Sequence, residues 1–265
     1  MELRPLSDTG VMLPEVGAGT WEYKGGVAPL RRAISLGAFL IDTAEVYGTE
    51  PVVGQAIWGM RDKVFLATKV SGDHLRRSEV IRAADASLLK LGVDVIDLYQ
   101  VHWPERRVPM AETMGALEEL VDQGKVRYIG VSNFSVAEMQ AAQEALKKNR
   151  LVVNQVIYNL ENRGIEQDVL PYCQKNNITV LAYSPLARGA ILRQPAPGLK
   201  GAELLFRIAQ DLGKTPAQVA LNWLLRKPGV IVIPKSDRLA RWDENCAASG
   251  WKLSDEHVHA LDEAA

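Results

Sequence analysis

An α/β chain closed into a (β/α)8 barrel of the TIM type is the fold this sequence predicts, and three observations carry it. Eight strand-like segments alternate with amphipathic ones along 265 residues. Several of the strand-like segments are continuous apolar runs, as expected when both faces of a parallel sheet are covered. Polar, chemistry-bearing residues recur at the C-terminal ends of these runs, where such a barrel gathers its loops into one mouth. A doubly wound open sheet is the competing architecture, but eight units close on themselves more naturally.

The elements follow in order. Residues 2–14 read as two short strands around Asp8-Thr9-Gly10, a hairpin signal that would cap the bottom of the barrel. Strands are predicted at 15–20, 38–42, 63–69, 94–102, 127–132, 152–157, 179–183 and 229–233. Helical periodicity falls between them at 27–36, 78–91, 110–123, 136–148, 165–175 and 215–226, with a last helical pattern at 254–263. Gly37, Gly92, Gly124, Asn149 and Asn176-Asn177 are helix stop signals before the next strand. Pro195-Ala196-Pro197-Gly198 interrupts the seventh unit and reads as a mobile surface loop. No linker, low-complexity tract or charge block divides the chain, so residues 1–265 read as a single domain.

Composition narrows the function. A formal net charge of −1 offers nothing to nucleic acid or to an anionic membrane. No apolar run approaches the ~18–20 residues of a membrane span. Residues 1–8 lack an apolar signal core, which implies a cytoplasmic protein. Cys173 and Cys246 have no second Cys or His at metal-ligand spacing and read as reduced thiols, with no metal site. His257 and His259 are two apart on a helical pattern and point different ways, and His74 reads as a solvated loop residue.

The chemistry sits at three successive strand ends. Ala38-Phe39-Leu40-Ile41 delivers Asp42, and Tyr47 follows in the loop. Val64-Phe65-Leu66-Ala67-Thr68 ends on Lys69, and the run from Val95 to Val101 ends on His102. A lysine beside a phenol favours the phenolate and lowers its pKa from about 10. An acid beside the lysine keeps the lysine charged, and a histidine can orient a carbonyl oxygen or relay a proton. The set suits protonation of a carbonyl oxygen at neutral pH. The plainer reading makes Asp42 and Lys69 a structural salt bridge and Tyr47 an ordinary loop phenol.

At this point the sequence closely resembles the aldo-keto reductase family, in a short prokaryotic-type form. The resemblance covers nearly the whole chain and rests on separate motifs in order. They are Gly17-Ala18-Gly19-Thr20-Trp21, Asp42-Thr43-Ala44 with Tyr47-Gly48, Lys69, His102, Gly130-Val131-Ser132-Asn133-Phe134, Asn154-Gln155, Tyr183-Ser184-Pro185-Leu186, and Ile233-Pro234-Lys235-Ser236 followed by Arg241, Glu244 and Asn245. The resemblance implies NADPH-dependent reduction of small aldehydes and ketones to alcohols. Tyr47 would be the acid, Lys69 and Asp42 its support, and His102 the group that orients the carbonyl.

The resemblance also implies the cofactor residues. Gly19, Thr20, Trp21 and Asp42 would border the nicotinamide. Ser132, Asn133 and Gln155 would hold its carboxamide and Tyr183 would stack on it, with Ser184 and Leu186 alongside. Lys235, Ser236, Arg241, Glu244 and Asn245 would hold the adenosine half. Lys235 and Arg241 favour NADPH over NADH, because a ribose phosphate calls for cations and Arg supplies a planar fork. Asp237 departs from the family pattern, a carboxylate near that phosphate, with Arg238 beside it as an offset. Trp21 and Trp103, with Tyr23 near the first, would wall an apolar slot for a small carbonyl substrate. The segment after His102 is short and the chain stops soon after the last helical pattern, which implies an open mouth and broad selectivity.

The expected protein is a monomer or weak oligomer with no nucleic-acid or membrane partner. Two other readings stay open here. One is a nucleotide-dependent regulatory subunit, as the related β-subunits of voltage-gated potassium channels are. The other is a Schiff-base aldolase with a neutral Lys69 as nucleophile.

Overall fold

The computed structural model describes residues 1–193 and 200–264. The loop expected at Pro195-Ala196-Pro197-Gly198 lies outside them. A hairpin comes first, β1 (Leu3–Pro5) antiparallel to β2 (Met12–Pro14). Eight parallel strands then hydrogen-bond in sequence order. They are β3 (Ala18–Gly19), β4 (Leu40–Asp42), β5 (Phe65–Val70), β6 (Ile96–Val101), β7 (Val126–Ser132), β8 (Leu151–Ile157), β9 (Thr179–Tyr183) and β10 (Val230–Val232).

Closure of the barrel explains why the first predicted strand is longer than β3. Only Ala18 and Gly19 pair with β4, while residues 15–17 pair with the last strand. Val16 bridges Val232, Gly17 N–H donates to Val232 O at 2.8 Å and Val232 N–H donates to Glu15 O at 3.0 Å. A Cβ on Gly19 would lie 2.8 Å from the Ile233 carbonyl oxygen, so glycine lets the two ends meet.

Side chains alternate across the strand wall with the period of two that the backbone imposes. Leu40, Phe65, Ala67, Leu98, Val153, Leu181 and Ile231 point inward and form one buried cluster. Leu6 and Leu13 of the hairpin join that cluster, and Ser7 N–H donates to Thr179 Oγ1 at the start of β9. The hairpin therefore plugs the bottom, as the sequence predicts. Ile41, Leu66, Val70, Ile96, Val101 and Val180 point outward into a second, larger cluster shared with the helices. At the top of the interior, the inward positions change from apolar to polar, with Asp42, Lys69, Gln100 and Gln155 all buried. The bottom of the barrel is thus ordinary core, and the top layer carries the chemistry.

The surrounding helices follow the predicted pattern with physical exceptions. Helices α1 (Val27–Ser35), α3 (Arg77–Leu91), α4 (Met110–Asp122) and α8 (Pro216–Leu225) lie where periodicity places them. Helix α2 (Glu50–Ile57) is short and absent from the sequence expectation. Helix α5 (Val136–Ala145) stops before the expected Lys148. The buried carboxylate of Glu118 accepts the backbone N–H groups of Lys147, Lys148 and Asn149, which turns the chain out of the helix. The pattern at 165–175 splits into a turn at Gly164–Glu166 and α6 (Val169–Lys175), with Asp168 capping the latter. Three more helices complete the wall, α7 (Lys200–Asp211), α9 (Leu239–Cys246) and α10 (Asp255–Ala264). Among the described residues no helix is long and apolar enough to cross a membrane. Cys173 and Cys246 are free and buried, and no cluster of metal-ligating side chains occurs among the described residues.

Candidate active site

The C-terminal strand ends open into a groove of about 740 Å³. With one exception, every catalytic and cofactor residue predicted from the sequence lines it, as do Trp21 and Trp103 of the expected slot. The exception is Lys69, which is fully buried beneath the groove floor.

Lys69 reaches that place because it occupies the inward position above Phe65 and Ala67 on β5. Its Nζ donates to Asp42 Oδ2 at 2.7 Å, to the Thr43 carbonyl at 2.8 Å and to Tyr47 Oη at 3.4 Å. Burial pulls the lysine pKa down, but Asp42 and Tyr47 outweigh it and the ammonium stays charged, above its ordinary value. A neutral Lys69 nucleophile, and with it the aldolase reading, does not fit this pairing. Asp42 Oδ1 accepts in turn from Gln155 Nε2 at 2.7 Å and more distantly from Gln100 Nε2 at 3.4 Å. Beside it, the buried hydroxyls of Thr43, Thr49 and Thr20 form a chain that ends on the Asp42 carbonyl.

Tyr47 ends the short turn Glu45–Tyr47 and points into the groove. Its hydroxyl lies 3.4 Å from His102 Nε2 as well as from Lys69. The phenol pKa is raised, not lowered as expected from Lys69 alone. Burial penalises the phenolate more than Lys69 stabilises it, and Asp42 adds to the rise. The phenol is therefore protonated at neutral pH, which is the form an acid needs.

His102 is pushed down to about 4 by burial and by Lys69, so its ring is neutral at physiological pH. That shift has a measurable consequence. The folded state binds this proton less readily than the unfolded chain, so His102 adds stability above pH 6.5 that is lost as pH falls toward 4. At 1.36 kcal/mol per pKa unit the full effect is about 3 kcal/mol, and partial exposure of the ring reduces our expectation to about 1–2 kcal/mol. Urea midpoints between pH 6.5 and 4.5 should fall less steeply in His102→Asn than in the wild type. Parallel slopes would remove His102 as the source.

Rings continue the wall on both sides. Trp21 meets Tyr47 edge-on at 5.2 Å, Tyr47 meets His102 at 5.4 Å, and Trp103 lies over His102 at 6.4 Å. Both tryptophans are about half exposed, 44% and 52%, and so face the groove opening rather than the core. Tyr23 is different. Its hydroxyl donates to the Gly26 carbonyl at 2.6 Å, the ring packs in the core, and burial with nearby Asp237 pushes its pKa up to about 12. It is no part of the slot.

The middle of the groove is a set of short polar side chains. Ser132 Oγ donates to the Gln155 carbonyl, Asn133 Nδ2 donates to the His102 carbonyl, and Tyr183 Oη donates to Asn133 Oδ1 at 3.0 Å. Asn133 and Ser184 adopt left-handed backbone conformations, with φ of 63° and 49°. Such strain concentrates at working surfaces. At the far end Lys235 Nζ holds Asp237 Oδ2 at 2.6 Å and Arg241 pairs with Glu244, near the start of α9. The other oxygen of Asp237 accepts the Lys24 N–H at 2.8 Å. Lys235 and Arg241 are thus each paired with a carboxylate.

Sequence reasoning passed over several of these groups. Glu22, Val46 and Arg188 line the groove, and the Thr43 carbonyl binds Lys69. His74 is not merely solvated, because its Nδ1 lies 2.6 Å from Glu45 Oε1.

The family model described as Aldo/keto reductase family matches residues 15–265. The chain is 42% identical to the methylglyoxal reductase YeaE of Escherichia coli, over 96% of this chain and 92% of that one. It is 34% identical to the aldo-keto reductase YhdN of Bacillus subtilis, over 97% and 91%. Among solved structures, the thermostable aldo-keto reductase Tm1743, crystallised with the inhibitor epalrestat, superposes with a TM-score of 0.94 at 39% identity over the whole of both chains. An aldo/keto reductase from Klebsiella pneumoniae in complex with NADP and acetate gives 0.88 at 41% identity, over 96% of this chain and 92% of that one. The chain belongs to the aldo/keto reductase family.

Proposed function

We propose that this aldo/keto reductase reduces small aldehydes with NADPH, using Tyr47 as the general acid. The observation that carries the reading is one protonated phenol, shared between a charged lysine and a neutral histidine, at the floor of an aromatic slot. Support for the cofactor comes from the groove itself. Short polar side chains sit where a carboxamide needs donors and acceptors, and cations sit at the far end near a helix start. Ser132, Asn133 and Gln155 would hold the nicotinamide amide, and Lys235, Ser236 and Arg241 the ribose phosphate. When bound, the nicotinamide supplies the hydride for the carbonyl carbon.

This chain's residues do the rest. His102 Nε2 and Tyr47 Oη lie 3.4 Å apart and both residues line the groove, so both would hydrogen-bond one carbonyl oxygen there. Tyr47 gives its proton to that oxygen as negative charge develops there. Lys69 stays charged throughout and stabilises the phenolate left behind, while Asp42 keeps Lys69 in place. Trp21 and Trp103 exclude water from one side of the substrate. A monomer or weak oligomer in the cytoplasm remains our expectation.

Methylglyoxal is the natural first substrate to try, given the name of the Escherichia coli relative. Loss of NADPH absorbance across methylglyoxal, benzaldehydes, ketones and sugars tests the reading. No turnover of any carbonyl compound would favour the regulatory-subunit alternative. The cofactor assignment has its own test. Arg241→Ala should weaken NADPH about 10-fold or more and NADH little, since one charge-assisted contact contributes about 1.5–3 kcal/mol. Equal weakening of both would show that Arg241 touches something other than the extra phosphate.

A further inference from the structure

We propose, resting on the reading of Tyr47 as the acid, that Glu45 is a positioning residue that ties the turn bearing Tyr47 to the loop that follows Lys69. Glu45 opens the three-residue turn that Tyr47 closes. Its Oε2 accepts the Ser71 N–H at 2.8 Å, and its Oε1 lies 2.6 Å from His74 Nδ1. Ser71 is two residues beyond Lys69. One side chain therefore spans from the acid's own turn to the strand end that supplies the acid's partner.

The need for such a tie follows from the rest of the turn. The contacts of the Tyr47 hydroxyl with Lys69 and His102 are both 3.4 Å, at the long end for a hydrogen bond. They do not by themselves hold the phenol in register. Val46 is 55% exposed, and a Cβ on Gly48 after the tyrosine would meet nothing within 4 Å, so neither neighbour anchors the turn by packing. Glu45 itself is mostly buried, with 15% of its side chain exposed.

The loop at the other end of the tie also touches the slot. A Cβ on Gly72 would lie 3.3 Å from the Trp103 carbonyl oxygen, so the loop lies directly against the Trp103 segment. Glu45 thereby couples the height of the phenol to the wall of the substrate slot. Two acceptors on one side chain are required, one for a backbone N–H and one for an imidazole, which a carboxylate provides and an alanine does not. A glutamine keeps the length, retains one acceptor for Ser71 and presents its amide to His74.

The test measures kcat and KM with 4-nitrobenzaldehyde at saturating NADPH, together with the NADPH dissociation constant by fluorescence quenching. Glu45→Ala, Glu45→Gln and Tyr47→Phe are compared with the wild type. A displacement of about 1 Å in a reacting group costs up to about 100-fold in rate. Glu45→Ala should therefore lose about 10- to 100-fold in kcat with NADPH affinity within about twofold, and Glu45→Gln should recover most of that loss. Three results would overturn the proposal: a Glu45→Ala kcat near wild type, a loss shared equally by NADPH affinity, or a glutamine variant as poor as alanine. The control separates the two ideas. An active Tyr47→Phe removes the acid assignment and this proposal with it, whereas an inactive Tyr47→Phe beside an unaffected Glu45→Ala removes the positioning role alone.

Discussion

Tyr47→Phe is expected to lower carbonyl reduction by about 100- to 10,000-fold, the usual contribution of a positioned general acid, with NADPH binding unchanged within a few-fold. The substitution removes one hydroxyl and keeps the ring, so the contacts of Tyr47 with Trp21 and His102 persist. Lys69 keeps its Asp42 and Thr43 acceptors. What goes is the donor. His102, neutral with its pKa near 4, is a hydrogen-bond donor but no strong acid at pH 7, and Lys69 is buried below the floor. Because the lost interaction grows as charge develops on the oxygen, kcat and kcat/KM should fall together. Steady-state kinetics and fluorescence titration of NADPH measure the two effects separately. Turnover within tenfold of wild type would place the acid elsewhere.

Most of the site was legible because its residues end apolar strands. Asp42, Lys69 and His102 each follow a run of core residues, and a polar residue that closes such a run has only the barrel mouth to face. Strand parity would have revealed Gln100 as well. It stands between Leu98 and His102 on the inward face of β6, and a polar residue there has to meet the top layer. Other features were not legible, for separate physical reasons. The Thr43 carbonyl is backbone and leaves no mark in residue identity. The bond from Glu45 to His74 crosses 29 positions between two loops, where no periodicity operates. The direction of the Tyr47 shift depends on how deeply the ring is buried, which the Lys69 spacing alone cannot tell. The early end of α5 comes from Glu118 on the preceding helix, a tertiary contact that overrides a good helical pattern at Lys147 and Lys148. The pairing of Lys235 with Asp237 and of Arg241 with Glu244 is local in sequence but needs rotamers to be seen.

Lys69→Met should damage both stability and chemistry, and comparison with a second variant can separate them. The ammonium is fully buried and faces a carboxylate that is itself only 2% exposed. Methionine fills similar space without charge, so Asp42 is left as a buried anion with only amide donors from Gln155 and Gln100. Breaking a buried pair from one side costs about 3–5 kcal/mol, because the remaining charge is uncompensated. Removing both charges, as in Lys69→Met with Asp42→Asn, should recover part of that loss. Activity should not recover in the double variant, since no cation then stabilises the phenolate as Tyr47 gives up its proton. Urea denaturation and kcat measured on the wild type, both single variants and the double variant test this. A double variant that regains stability but stays inactive assigns Lys69 to catalysis. A double variant that regains both would reduce the pair to a structural salt bridge, the plainer reading with which the sequence is also compatible. The alkaline limb offers an independent check. The lysine pKa is raised in the fold, so the stability it brings is complete below about 10.4 and is lost as pH rises through the folded value. Wild-type stability should therefore decline above about pH 10.4 more steeply than that of the double variant, which has no lysine there to deprotonate.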